Sequence, residues 1–346
     1  MKTIFSPKQQ EHQGQCEFYN GAVVEGYENT SRATFITSRI EEVRLGPVLD
    51  PRPQSLDTAK RIHSTAYLDF TASAWRLWRE AGRTVTALPY AWPARGRYKD
   101  VAPDSIDALL GLYSIDASTG FVEGTWEAVK ASHDSALTAA DLIIEGEQAC
   151  FALCRPPGHH AGTDFNGGYC FINNAAVAAQ RLMDAGASRV TILDIDYHHG
   201  NGTQEIFYMR DDVQVVSLHA DPRNDYPFFA GYADERGSGS GEGFNLNLPL
   251  SDGTDWTQWE SALEFALGSI RQRGPDVVVI SLGVDTFEGD PISRFRLSHS
   301  HFPLIGAHLA GLGTKTLFVL EGGYAVEDIG VNVVGVLSGF EDAIRR

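Results

Sequence analysis

Four short runs dominate the second half of the chain: 189–196 (RVTILDID), 213–220 (VQVVSLHA), 276–285 (DVVVISLGVD) and 314–321 (TKTLFVLE). Each is apolar almost throughout and rich in β-branched residues. None shows the apolar–polar alternation of a strand with one face in water. Helical stretches accompany them at 173–187, 254–273 and 299–313, and a last helix runs from about 325 to the end. Strands buried on both faces and separated by helices predict a parallel sheet with helices on both faces. Right-handed crossovers make it a doubly wound α/β fold. A further apolar run at 149–155 (ACFALCR) adds a strand. The first half is more helical, over 31–44, 66–81 and 124–145. Two long aperiodic stretches remain, the Pro-rich 83–105 and the Gly-rich, aromatic 220–245. Neither reads as a linker, so residues 1–346 form a single domain. Long loops of this kind are usually functional.

Composition narrows the function classes. The 45 acidic residues outnumber the 28 basic ones, for a net charge of −17. A duplex nucleic-acid partner needs basic surface and is not expected. A cationic small molecule suits the charge. No run of about 18 apolar residues exists to span a membrane, and the opening MKTIFSPKQQ lacks the features of a secretory signal. Cys16, Cys150, Cys154 and Cys170 form no C-x-x-C pair. A reduced, cytoplasmic protein is the simplest expectation.

Polar groups gather where the predicted strands end: Asp194 and Asp196, His219, Asp285, then Glu321 to Tyr324. In open α/β sheets, ligands bind beyond the carboxyl ends of the strands. Asp196 and His198 of DIDYHHG, with Asp285 from another strand end, are a donor set for Zn²⁺ or Fe²⁺. Three protein ligands leave a position open for water. The motif Arg155-Pro156-Pro157-Gly158-His159-His160 places two imidazoles after a strand, where they suit acid–base work. In Glu321-Gly322-Gly323-Tyr324 the paired glycines let the backbone approach a ligand, and the phenol can donate to an oxyanion.

The motifs RPPGHH, GGYCFINN, DIDYHHGNGTQ, SLGVDTF and EGGY together resemble the histone-deacetylase superfamily of arginase-like fold. With GTWEA at 124–128 and the aromatic loop before it, the chain looks most similar to bacterial acetylpolyamine amidohydrolases. The resemblance covers nearly the whole chain. It implies hydrolysis of an N-acetyl amide, with one Zn²⁺ (or Fe²⁺) held by Asp196, His198 and Asp285. It implies His159 and His160 as the catalytic pair, backed by Asp194 and Asn201, and Tyr324 as the oxyanion donor. Asp194 favours a charged His159, whereas Asn201 leaves His160 neutral as the better base. Structural K⁺ is implied at Asp194, Asp196, His198, Ser217 and Leu218, and a second monovalent ion at Phe207, Arg210 and Val213. Tyr169 and Tyr226 would wall the substrate tunnel beside Gly168, with Ile292 on its rim. Glu17, Asp107 and Asp116 are candidate acids for a distal ammonium, with Asp107 placed by the resemblance on the dimerisation loop, to act across a dimer. Residues 83–105 would form a loop insertion at the active-site rim that pairs the chain as a homodimer. The acid expected near residue 118 is replaced by Ser118, which favours short diamines such as acetylputrescine and acetylcadaverine over long polyamines. Protein acetyl-lysine is the alternative substrate. Phe287 stands where binuclear relatives carry a further acid, which argues against an arginase-like ureohydrolase.

Overall fold

The computed structural model describes residues 1–93 and 103–345. Its strands are β1 (Lys2–Ile4), β2 (Cys16–Tyr19), β3 (Ala22–Glu25), β4 (Val48–Leu49), β5 (Ala149–Ala152), β6 (Val190–Asp194), β7 (Val213–Ala220), β8 (Asn245–Leu250), β9 (Val277–Leu282) and β10 (Lys315–Leu320). Its α-helices are α1 (Ser31–Val43), α2 (Thr65–Glu80), α3 (Ile106–Leu112), α4 (Thr125–Ile144), α5 (Asn174–Asp184), α6 (Asn201–Phe207), α7 (Trp256–Arg273), α8 (Phe302–Ala310) and α9 (Val326–Ile344).

Among the described residues, eight strands form one sheet in the order β4-β1-β5-β10-β9-β6-β7-β8. Every pairing in it is parallel. Strands β2 and β3 form a separate antiparallel hairpin. The apolar runs are the central strands, and their side chains alternate between two cores. Ile192, Val215, Val279 and Val319 pack on one face with α4 and α5. Leu193, Val216, Ile280 and Phe318 pack on the other with α1, α7, α8 and α9. Local chemistry fixes the helix ends. Helix α7 starts in a capping box of Asp255 and Gln258 and stops at Gly274, whose φ of +59° suits glycine. Asn173 caps α5 by accepting from the Ala176 N–H.

The predicted strands and helices are present with ends shifted by a few residues. The stretch 299–313 resolves into a 3₁₀ turn at His299–His301 followed by α8. Three sheet strands were not legible. β1 and β4 are two or three residues long, and β8 (NLNLPL) is half polar at the sheet edge. In the predicted insertion 83–105, residues 94–102 lie outside the described residues. Ala87 bridges to Phe121, tying the start of that segment to the domain.

Candidate active site

The central strands β5, β10, β9, β6 and β7 are neighbours, so the loops at their carboxyl ends meet. The loop after β6 carries Asp196 and His198, and that after β9 carries Asp285. Donor atoms of these three lie within 4.8 Å of one another. His198 Nδ1 is 3.1 Å from Asp285 Oδ2 and 3.4 Å from Asp196 Oδ1. Backbone N–H groups orient the carboxylates. His198 N and Gly322 N donate to the two oxygens of Asp196 at 2.8 and 2.7 Å, and Tyr197 N donates to Asp285 Oδ1 at 2.8 Å. The approach of Gly322 tolerates no side chain. A Cβ there would lie 2.5 Å from Asp285 Oδ2 and 2.6 Å from Asp196 Oδ2.

Asp196 and Asp285 are fully buried, and neither is bonded to a lysine or arginine among the described residues. Two buried carboxylates side by side require a cation. The set of two carboxylates and one imidazole therefore fits a divalent metal ion. Protons are the competing source of that positive charge. Burial pulls the His198 imidazole down, but Asp196 and Asp285 outweigh it and hold it up at about 10. Burial, with the Asp196 charge, pushes Asp285 up to about 7. A bound ion would compete with these protons. Atoms of His159, Cys170 and Glu321 also lie within 4.8 Å of one another. Most of their polar atoms are engaged within the protein: Glu321 Oε2 accepts from the Gly158 and His159 N–H groups, His159 Nδ1 faces Asp194, and the Cys170 thiol donates to the Gly168 carbonyl, while Glu321 Oε1 has no hydrogen-bond partner.

The loop after β5 carries the two histidines, with ring centroids 4.0 Å apart. His159 Nδ1 lies 3.0 Å from Asp194 Oδ2, and His160 Nδ1 lies 2.7 Å from Asn201 Oδ1. Both rings are buried, but their partners drive them apart. Burial lowers His159, yet Asp194 and Asp196 overcome it and hold the imidazole up at about 10. Burial, reinforced by His159 and His198, holds His160 well below its ordinary value. An amide oxygen on Nδ1 fixes the proton there. Nε2 of a neutral His160 is then the acceptor.

Above these groups lies a cavity of about 220 Å³, whose lining includes His160, His198, Tyr324, Tyr169, Tyr226 and Glu17. Gly168, Ile292 and Ser118 also border it. Tyr324 follows β10. Asp290 Oδ2 accepts from its N–H at 2.6 Å, and the Arg32 guanidinium lies 5.0 Å from its ring centroid. Tyr226 packs edge-on against His160 at 4.9 Å. Glu17, on β2, is 1% exposed, and burial raises its pKa above the ordinary value, offset only in part by the neighbouring Tyr169 hydroxyl.

Two expected substrate acids do not line the cavity of their own chain. Asp107 opens α3 and spends both oxygens on Arg83, at 2.5 and 2.6 Å, away from the cavity lining. Asp116 lies behind the cavity wall, its oxygens taken by Ser118, Gly168 and Tyr226. Of the residues expected to hold K⁺, Ser217 pairs in register with Asp194, and its Oγ lies 2.7 Å from His219 Nδ1. Leu218 follows it on β7. The Phe207 carbonyl accepts from the Arg210 N–H at 2.9 Å, and Val213 opens β7.

Sequence reasoning missed the support beneath Tyr324. Arg32 is fully buried, paired with Glu28 at 3.1 Å, and donates to the Gly323 carbonyl at 2.8 Å. Arg155 also meets Glu28, at 2.8 Å. An arginine on a helix ordinarily reads as exposed, so nothing marked Arg32. Asp290, five residues beyond Asp285, carried only the weak signal of an acid after a strand end.

A histone deacetylase domain model matches residues 26–340. The chain belongs to this family. It is 49% identical to acetylpolyamine amidohydrolase 2 of Pseudomonas aeruginosa, over 100% of both chains. It is 46% identical to the acetylpolyamine amidohydrolase of Mycoplana ramosa, over 98% of this chain and 99% of that one. The crystal structure of an acetylpolyamine aminohydrolase from Burkholderia pseudomallei superposes with a TM-score of 0.95 at 36% identity, covering 99% of each chain. The fold is the arginase/deacetylase-like parallel sheet, and the chain is an amide-hydrolysing enzyme of the family. Among the described residues no helix is long and apolar enough to cross a membrane.

Proposed function

We propose that the chain removes the acetyl group from N-acetylated amines that carry a second, distal ammonium, with acetylputrescine and acetylcadaverine as preferred substrates. One observation carries the reading: the donor atoms of Asp196, His198 and Asp285 converge beneath an aromatic-walled cavity that has a buried carboxylate, Glu17, in its wall. A ~220 Å³ slot suits a linear chain. Glu17 supplies the negative charge for an ammonium, and the replacement of an acid by Ser118 leaves less for a longer polyamine.

Zn²⁺ is the proposed ion, with Fe²⁺ as the alternative for the same donors. Such an ion polarises the amide carbonyl and acidifies a water. The side chains supply the rest. His160, neutral and with Nε2 free, takes the water proton as attack proceeds. His159, charged and braced by Asp194, stabilises negative charge as it develops. Tyr324 donates its hydroxyl to the carbonyl oxygen, a bond that strengthens in the transition state. The protonated imidazole then passes its proton to the leaving nitrogen as the C–N bond breaks, giving acetate and the free amine.

The proposal extends to K⁺ at Asp194, Asp196, His198, Ser217 and Leu218, to a second monovalent ion at Phe207, Arg210 and Val213, and to a cytoplasmic enzyme. It includes a homodimer formed through 83–105. Tyr90 and Trp92 in that segment, with Phe18, Phe228 and Phe229 near the mouth, are exposed apolar groups that support an interface. The test is a panel of acetylated mono-, di- and polyamines and acetyl-lysine peptides, run on metal-quantified enzyme. Short acetylated diamines should give the highest kcat/KM. Preference for the peptides would refute the substrate assignment.

A further inference from the structure

One carboxylate behind the cavity bonds both Tyr226 and the turn that carries Tyr169. Asp116 lies in the segment between α3 and α4. Its Oδ2 accepts from the Gly168 N–H at 2.8 Å and from the Tyr226 hydroxyl at 2.6 Å. Its Oδ1 accepts from the Ser118 N–H at 2.9 Å and from the Ser118 hydroxyl at 2.8 Å. Four donors occupy the lone-pair positions of a carboxylate, and none is left for a ligand.

The two Oδ2 donors belong to two different segments of the cavity lining. Gly168 and Tyr169 form a turn in the left-handed region, with φ of +50° and +69°. That conformation strains Tyr169 and needs outside support. Asp116 holds the turn at Gly168, and Thr119 Oγ1 holds the Tyr169 N–H at 2.9 Å. The other wall, Tyr226, hangs on the same oxygen by its hydroxyl and lays its ring edge-on against His160. A Cβ at Gly167 would fall 3.0 Å from Asp116 Oδ2 and 2.4 Å from Ile115, so the turn presses directly on this segment.

We infer that Asp116 is a positioning residue that fixes the spacing of Tyr169 and Tyr226, and through Tyr226 the plane of the His160 ring. It does not read the charge of the substrate. The inference rests on the amide-hydrolase reading above. Bonds to a charged acceptor are among the strong ones, and small misplacements at a reacting centre cost large factors in rate.

The experiment compares Asp116→Asn, Tyr226→Phe and the double variant on N-acetylputrescine and on N-pentylacetamide, its neutral analogue of the same length. Each single variant should lose about tenfold or more in kcat/KM, mainly through kcat, on both amides. The double variant should be no worse than the worse single, because both changes break one bond. Loss confined to acetylputrescine would overturn the inference, as would a Tyr226→Phe enzyme with wild-type kcat/KM. If Asp116→Asn fails to fold, Tyr226→Phe, which keeps the ring, decides alone by the same criterion. A wild-type enzyme that hydrolyses neither amide would refute the hydrolase reading instead. The inference is then read from the His160 ring-proton NMR resonance, which Tyr226 shifts by its ring current. Displacement of that resonance in either variant supports it, and an unmoved resonance in both overturns it.

Discussion

Replacing Asn201 by Asp would turn the amide partner of His160 into a carboxylate and test which imidazole is the base. The structure contains its own control. His159 and His160 are equally buried and adjacent, yet His159, with Asp194 at 3.0 Å, is held up at about 10. His160, with Asn201 at 2.7 Å, is held well below its ordinary value. A carboxylate at hydrogen-bond distance raises an imidazole by about 1–3 pH units, or roughly 1.4–4 kcal/mol. A general base works only when deprotonated, so a raised pKa removes activity as pH falls, starting from a higher pH. The assay is kcat/KM for acetylputrescine from about pH 5 to about pH 10 on metal-quantified Asn201→Asp enzyme. The acid limb should move up by about 1–3 units, while the rate on the alkaline side stays within a few-fold of wild type. An acid limb that stays in place in a folded, metal-loaded variant would refute the assignment of His160 as base.

Other perturbations address other parts of the site. Tyr324→Phe should lower kcat by about 10²–10³ with little change in KM, because the hydroxyl acts as charge develops; steady-state kinetics check this. Gly322→Ala would drive a Cβ to 2.5 Å from Asp285 Oδ2. It should weaken metal binding by about 10–100-fold with the circular dichroism spectrum unchanged, as metal titration would show. Because protons on His198 and Asp285 compete with the ion, metal affinity should rise by about tenfold per pH unit for each proton displaced. A chelator-competition series at several pH values measures the slope.

The parts of the molecule legible from sequence are those where burial leaves one solution. Central strands such as 276–285 are apolar on both faces, so they read as buried parallel strands without further information. The convergent donor set of Asp196, His198 and Asp285 was legible for a related reason: charged residues at the ends of apolar strands have few structural uses. The edge strand β8 escaped because its alternation of Asn and Leu mixes strand and loop signals, and its asparagines are explained only by tertiary partners, Gln204, Tyr232 and Glu235. The partners of Asp107 and Asp116 were not legible for the opposite reason. A surface acid near a binding site reads as substrate-facing. Whether it meets substrate or Arg83 depends on tertiary packing that local sequence does not encode.

The most direct test of the account is stepwise reloading of the chelated enzyme with Zn²⁺ while acetylputrescine turnover is followed. Turnover should vanish on chelation and climb linearly to a plateau at one ion per chain, and Asp285→Asn should show no such recovery. A metal-free preparation that keeps its turnover, or a plateau reached only at two ions, would contradict it.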